Sequence, residues 1–388
     1  MSERKSFDEL KVIMEKNNCS RIWSWSKFNT YHTSPYEYFL KYIAKKKEDR
    51  EDCIYAPVGG MCHDILEKLY TNKIEYSEMD ELFEDAWLTA DISGLKFDRN
   101  DAEKNKNISA KYYKNLKHFF SNHKVIPFKT AIEQFITIKI GENLFQGYID
   151  CCYKDNNGCF NIVDFKTSTV YKGEKALNEC GQLVVYAMGL HQAGVPYENI
   201  KICWNFLKYV KVDCAQANGK ITTREIERHE IGNKLQTSAK MWLKKFDYNP
   251  DDYIDKLILT NDISVLPKEV QEKFTINDCY IYVDITQDLI DKWTTDVINT
   301  IDEIIEKEEQ YKSDYNEEIF FDTDENVKAQ SYYFANLSGY SANLHKPYKK
   351  YLEQYEREKN GDLLGVLPSS KKVQDTDSDD DLSWLDMI

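Results

Sequence analysis

The sequence predicts an α/β fold, a central mixed β-sheet flanked by helices, with helical additions before and after it. Three observations lead there. Stretches with period-two alternation fall in the middle of the chain at 130–140 and 200–212, and between them two short apolar runs at 146–150 and 160–166 carry carboxylates at their ends and are joined by a turn cluster. Stretches with helical period lie before, between and after them, at 57–72, 174–193 and 286–312. The 388 residues are 42% hydrophobic and 13% aromatic, enough for a sizeable core and too apolar for global disorder.

In chain order, 1–19 reads as a weakly amphipathic helix. Ser24 or Ser26 can cap a helix starting near Lys27, and Pro35 suits the first turn of the next. In 57–72 the glycine pair Gly59-Gly60 precedes a helix face of Cys62, Ile65, Leu66, Leu69 and Tyr70, with His63 just after the glycines. A single helical histidine is more often packed or solvated than a ligand. Helical segments in 78–125 surround a Lys- and Asn-rich loop near 99–107. The 130–140 strand turns at Gly141-Glu142-Asn143 into Gln146-Gly147-Tyr148-Ile149-Asp150. The cluster Lys154-Asp155-Asn156-Asn157-Gly158 then makes a tight turn into Phe160-Asn161-Ile162-Val163-Asp164-Phe165-Lys166. The helix at 174–193 presents Gln182 and Tyr186 on one side. A strand at 200–212, a strand and helix over 222–247, a loop-rich 250–279 and a long helix at 286–312 follow. Residues 328–357 are tyrosine-rich, and from 360 the composition is that of a disordered chain. The organisation expected is a helical N-terminal part (1–130), a core of sheet and helices (131–320), an aromatic-rich C-terminal wrap (321–359) and a disordered acidic tail (360–388).

The net charge is −15, and the last fourteen residues carry six aspartates and no lysine or arginine. Long-range steering of a polyanion is therefore repulsive, so any nucleic-acid site must be a local basic patch or use bound cations. That counts against a general DNA-coating protein but not against a metal enzyme. There is no run of 18 apolar residues, so no membrane span is expected. The N-terminus lacks the apolar stretch of a signal peptide, and the ten cysteines include no Cys-x-x-Cys pair. Both features point to reduced thiols in the cytoplasm. No Gly-x-x-x-x-Gly-Lys-Ser/Thr motif is present, so an ATP-driven motor would be a separate chain.

The chemistry concentrates at 150–166. Asp150 and Asp164 end neighbouring strands, and Asp164 and Lys166 point to one face. Two carboxylates, with the backbone carbonyl of Phe165, are oxygen donors suited to Mg²⁺ or Mn²⁺. Lys166 beside them can orient or deprotonate a water and stabilise charge on a phosphate. Phosphodiester hydrolysis is the natural reaction. An isolated Asp-x-Lys is ordinarily a weak surface ion pair; the ordered set of residues carries the argument.

That set resembles the PD-(D/E)xK nuclease superfamily, within it the RecB/Cas4-like exonuclease branch. Gly147-Tyr148-Ile149-Asp150 is similar to the family's Gly-x-x-Asp element, Asp164-Phe165-Lys166 to its acid-x-Lys element, and Gln182-Leu183-Val184-Val185-Tyr186 to its Gln-x-x-x-Tyr helix. His63 matches the branch's upstream histidine, and the segment from Ser24 to Tyr42 resembles its N-terminal helix pair. The resemblance implies a restriction-endonuclease-like core and a DNA nuclease, most often an exonuclease, in replication, recombination or repair. It implies Asp150, Asp164 and Lys166 as catalytic residues, His63, Asp150, Asp164 and the Phe165 carbonyl as metal ligands, and Gln182 and Tyr186 as bracing or nucleic-acid-contacting residues. Glu133 resembles an acid that precedes the Gly-x-x-Asp strand in several relatives, and is either a second metal ligand or a solvated strand residue. Many members of the branch bind an iron–sulfur cluster through one cysteine upstream of the histidine and three near the C-terminus. Here the last cysteine is Cys279, and 334–348 contains none, so no cluster is expected and aromatic packing is expected to hold this segment.

The tail Asp379-Asp380-Asp381-Leu382-Ser383-Trp384-Leu385-Asp386-Met387-Ile388 is acidic and ends in hydrophobics. It is similar to the partner-docking C-terminal peptide of bacterial single-stranded-DNA-binding proteins, and otherwise reads as a solubilising terminus. The Lys-, Asn- and Tyr-rich composition and the compact form without a helicase are reminiscent of phage enzymes, which would act in the cytoplasm of an infected bacterium.

Overall fold

The computed structural model describes residues 4–50 and 53–363. α1 (Phe7–Lys16) begins at Ser6, whose hydroxyl accepts from the Glu9 amide while the Glu9 carboxylate accepts from the Ser6 amide. β1 (Ile22–Ser24) follows; three residues carry no readable period, so pattern alone does not reveal it. Ser24 then caps α2 (Trp25–Thr33), and Ser34 caps α3 (Pro35–Tyr38) with Pro35 at its first position. α4 (Tyr55–Tyr70) carries the glycine pair and His63. α5 (Met79–Ile92) and α6 (Ala102–Asn122) pack beside it. α6 starts inside the stretch expected to be a loop near 99–107, because Asp101 accepts from the Glu103 and Lys104 amides and caps it. Lys104, Lys106 and Asn107 lie on the exposed face of this capped helix.

β2 (Thr130–Ile140), β3 (Asn143–Lys154) and β4 (Phe160–Lys166) form the expected meander. The helix expected over 174–193 is broken into α7 (Glu174–Glu179) and α8 (Gly181–Gln192). At the break, a Cβ on Gly181 would lie 2.3 Å from Trp25 and 2.6 Å from Trp293, so two indoles press directly on the backbone there. β5 (Ile200–Ala215), β6 (Ile221–Glu227) and α9 (Ile231–Lys245) come next. The segment 250–279, expected to be loop-rich, holds α10 (Ile254–Thr260), α11 (Lys268–Gln271) and most of β7 (Phe274–Val283). β7 escapes pattern recognition because Asp278 breaks the alternation begun by Phe274-Thr275-Ile276-Asn277. Asp278 is nevertheless buried, bonded to His123 and Arg228. α12 (Gln287–Asp314), α13 (Asp324–Ala329) and α14 (Lys346–Leu363) complete the described chain. α14 runs past 360, where disorder was expected to begin. The acidic tail with Asp379 to Ile388 lies outside the described residues.

The sheet is mixed, curled and flanked by helices, a restriction-endonuclease-like arrangement. β2 pairs antiparallel along β3 from Asn143 to Tyr153. The other edge of β3 is divided. β1 runs parallel to its first residues, Leu144 to Gln146, and β4 runs antiparallel to its last, Cys151 to Lys154. Gly147 to Asp150 therefore sit at a fork in the sheet. β5 is parallel to β4 and antiparallel to β6 and β7.

Alternation on these strands feeds two apolar layers. Cys152, Ile162 and Trp204 face α2, α8 and α12; Cys151, Val163 and Cys203 face α4, α5 and α6. The far half of β5 packs with α9 and α10 in a third cluster. The C-terminal segment is clasped to α2 and α3. The His345 ring lies 4.5 Å from Phe334 and 5.2 Å from Tyr36 between ring centroids. The Ser34 hydroxyl donates to Asp322 at 2.8 Å and lies 3.2 Å from His345 Nε2, while Glu37 accepts from the Tyr333 and Ser338 hydroxyls. Aromatic packing is thus joined there by a buried polar network.

Candidate active site

The fork opens into a cleft of about 610 Å³ whose lining includes His63, Glu133, Asp150, Phe165, Lys166, Gln182 and Tyr186. Each arrives from a different element for a local reason. β3 and β4 pair up to Cys151 and Val163 and then splay. Beyond that point the Asp150 carboxylate accepts from the Phe165 amide at 3.3 Å, taking a backbone donor that a strand would otherwise satisfy. On the opposite edge the ladder pairs Ile132 with Cys151 and Gln134 with Ile149 but skips Glu133, whose φ is +50°. A non-glycine residue in that region is strained, and here the distortion sits where Glu133 meets Asp150.

His63 lies on α4 with Nε2 2.9 Å from the Phe165 carbonyl oxygen. A carbonyl only accepts, so Nε2 carries the proton and Nδ1 presents its lone pair, 3.5 Å from Asp150. Burial, then the charge of Lys166, depress the His63 pKa and favour the neutral ring, while Asp164 opposes. One ligand atom each from His63, Glu133 and Asp150 lie within 4.8 Å of one another. A nitrogen and two carboxylates are a donor set that fits a hard or borderline divalent cation.

Asp164 is 7% exposed and its carboxylate pairs with Lys166 at 2.9 Å. Asp150 and Asp164 also hydrogen-bond to each other, and their pKa values are pushed apart. Burial and then the Asp164 charge drive Asp150 well above the usual carboxylate range. Burial opposes ionisation of Asp164 as well, but the Lys166 charge outweighs it and holds Asp164 low. Burial would lower the Lys166 pKa, yet Asp164 overrides it and the ammonium is stabilised. One carboxylate is thus already neutralised by a lysine, and the other is a buried group whose charge has no cation of its own.

Gln182 donates to the Tyr186 hydroxyl at 3.1 Å across one turn of α8. The Tyr186 ring lies on Gly147: a Cβ there would be 2.4 Å from Tyr186 Cε1. That contact is a physical reason for glycine in Gly-x-x-Asp, because the ring that backs the site needs the space. Burial pushes the Tyr186 phenol up to about 12.

His63, Glu133, Asp150, Phe165, Lys166, Gln182 and Tyr186 share one cleft, and Asp164 is buried behind it, paired with Lys166. A family model of the PD-(D/E)XK nuclease superfamily matches residues 22–315. The chain belongs to this superfamily. No curated protein matches it significantly. PD-(D/E)XK proteins are nucleases that use divalent metals, so this one acts on phosphodiester bonds of nucleic acid with a metal ion. Among the described residues no helix is long and apolar enough to cross a membrane.

The structure adds cleft residues that the sequence did not mark. Arg4, Trp25, Tyr148 and Thr167 also line it. Trp25 and Tyr148 stand inside segments already noted, but nothing in a linear pattern says that they face the site. Arg4 has no sequence signal at all.

Proposed function

We propose that this PD-(D/E)XK protein is a deoxyribonuclease of the RecB/Cas4-like branch, working as an exonuclease in replication, recombination or repair. The observation that carries the reading is the fork, where Asp150, Lys166, His63 and Glu133 converge, with Asp164 paired to Lys166 behind them and a Gln182–Tyr186 pair beside them. His63, Glu133 and Asp150 would hold the ion, with Asp164 and the Phe165 carbonyl beside them. Bound there, Mg²⁺ or Mn²⁺ supplies charge neutralisation at the phosphate and a more acidic water. Phe165 fixes the His63 tautomer through its carbonyl, leaving Nδ1 to face the ion. Lys166, held protonated by Asp164, orients the water and stabilises phosphate charge rather than accepting a proton. Tyr186 and Gln182 back the site and reach the nucleic-acid backbone.

In this reading 1–130 supplies the histidine, 131–320 the catalytic sheet and 321–359 the clasp. The acidic tail, through Asp379, Asp380, Asp381, Leu382, Trp384, Leu385 and Ile388, docks a replication or recombination protein. The enzyme is phage-encoded and works in the cytoplasm of the infected cell. The test incubates end-labelled linear DNA, end-labelled RNA and covalently closed circular DNA with Mg²⁺ or Mn²⁺, using wild type, Lys166→Ala and a chain lacking 375–388. Metal-dependent loss of linear DNA alone, absent in Lys166→Ala and retained in the truncated chain, is expected. Nicking of circles makes it an endonuclease, cleavage of RNA alone moves the substrate, and no cleavage of any nucleic acid refutes the catalytic reading.

A further inference from the structure

We propose that Arg4 is a substrate-positioning residue, delivered by a pre-organised N-terminal strap to grip a phosphate beside the scissile one. This rests on the nuclease reading above. Arg4 lines the same cleft as His63, Glu133, Asp150 and Lys166.

The strap is built to hold Arg4 there. The Lys5 amide donates to the Tyr148 hydroxyl at 2.6 Å. The Arg4 guanidinium carbon lies 5.5 Å from the Tyr148 ring centroid, and Lys5 Nζ lies 5.9 Å from that of Phe135. Immediately afterwards the Ser6–Glu9 capping box starts α1, and Lys5 Nζ pairs with Glu9 at 2.6 Å. The backbone directly after Arg4 is therefore tied to β3 at the Lys5 amide and to a capped helix start at Ser6.

A packing explanation for this segment is weak. α1 contains no buried residue, and Phe7 is 76% exposed. A helix that buries so little contributes little to stability, but it fixes where its first residues sit.

Charge supplies the second argument. The cleft lining carries Asp64, Glu67, Glu133 and Asp150 against the cations Arg4 and Lys166. Lys166 is committed to Asp164 at 2.9 Å. In a chain of net charge −15, a polyanion needs a local positive group at the rim to enter such a cleft. A guanidinium meets a phosphate through two parallel hydrogen bonds, and here it is held near the Tyr148 ring.

The test compares wild type, Arg4→Gln, Arg4→Lys and Lys11→Gln, the last an exposed charge on α1 outside the cleft. Binding of a fluorescein-labelled DNA oligonucleotide is followed by anisotropy in Ca²⁺, over a salt series. Cleavage of the same oligonucleotide is followed in Mg²⁺ or Mn²⁺, and thermal unfolding is recorded for each protein. Arg4→Gln should weaken binding about tenfold, lower the salt slope by about one, raise KM with kcat nearly unchanged, and leave the melting temperature unmoved. Arg4→Lys should recover part of the affinity, and Lys11→Gln should match wild type. Wild-type affinity and KM in Arg4→Gln overturn the proposal, as does a lowered melting temperature with unchanged affinity. Failure of the wild type to cleave any nucleic acid overturns the nuclease reading instead. The binding series still decides Arg4 in that case.

Discussion

Replacing Lys208 with methionine should stabilise the protein, and by an amount that depends on pH. Lys208 lies on β5, 5% exposed, with its ammonium 3.8 Å from the Tyr112 ring centroid. Burial holds its pKa down at about 7 against 10.5 for a free lysine, with Glu227 pulling the other way. At 1.36 kcal/mol per unit, keeping this group charged in the fold costs about 5 kcal/mol relative to the unfolded chain. A desolvated cation–π contact returns about 2 kcal/mol of that. The folded pKa is below the unfolded one, so between about pH 7 and 10.5 the unfolded chain binds the extra proton and stability rises with pH. Below that window the penalty is fully present. Methionine keeps the length of the side chain and removes the charge. Lys208→Met should therefore gain about 3 kcal/mol at pH 6, less at pH 8 and almost nothing at pH 10. Urea unfolding of both proteins at the three pH values measures this, and the other titrating groups cancel in the difference. A gain that is flat with pH, or a variant less stable than wild type at pH 6, would refute the reasoning.

Three further outcomes follow from contacts at and around the site. Asp150→Asn keeps the shape of a carboxyl that burial and Asp164 already drive towards its neutral form. It should raise metal-free stability at pH 8 by about 1–3 kcal/mol. It should also abolish the rise in melting temperature that Mg²⁺ or Mn²⁺ gives the wild type; a loss of metal-free stability in thermal melts would contradict this. Gly147→Ala places a methyl 2.4 Å from Tyr186 Cε1 and should cost about 1–3 kcal/mol in urea melts, with reduced cleavage; unchanged stability would mean that the ring yields freely. Asp278→Ala strands Arg228, which is 1% exposed, and should cost about 3–5 kcal/mol at pH 7. His123 and Arg228 hold Asp278 at about 2 against its burial, so its contribution is present above the usual carboxylate range and lost as pH falls towards 2. The variant should show a smaller loss of stability on acidification than wild type.

The residues gathered at the fork were legible because residue type, order and strand period survive in a linear string. Asp164 and Lys166 follow from the strand period, Asp150 from the apolar run that ends in it on the neighbouring strand, and Gln182 and Tyr186 from one helical turn. What alternation does not carry is pairing between distant segments. β1 joins β3 across more than a hundred residues, and without that pairing the fork cannot be seen. β7 was hidden because its interior holds Asp278, which pattern reasoning assigns to solvent and which Arg228 and His123 keep buried. Glu133 stayed open between ligand and surface residue because its positive φ, invisible in sequence, sets where it sits. Arg4 reaches the cleft only through tertiary contact with Tyr148.

The clasp between Ser34, Asp322 and His345 constrains the order in which the protein can be assembled. Its members are almost wholly excluded from solvent, yet about three hundred residues separate Ser34 from His345 along the chain. During synthesis α2 and α3 leave the ribosome with Tyr36 and Phe39 lacking the partners that later cover them. Those faces can gain these partners only once Phe320 and His345 have been made, and contacts of such long sequence separation are slow to form. Closing the clasp is therefore a contact of long sequence separation, joining α2 and α3 to a segment about three hundred residues later.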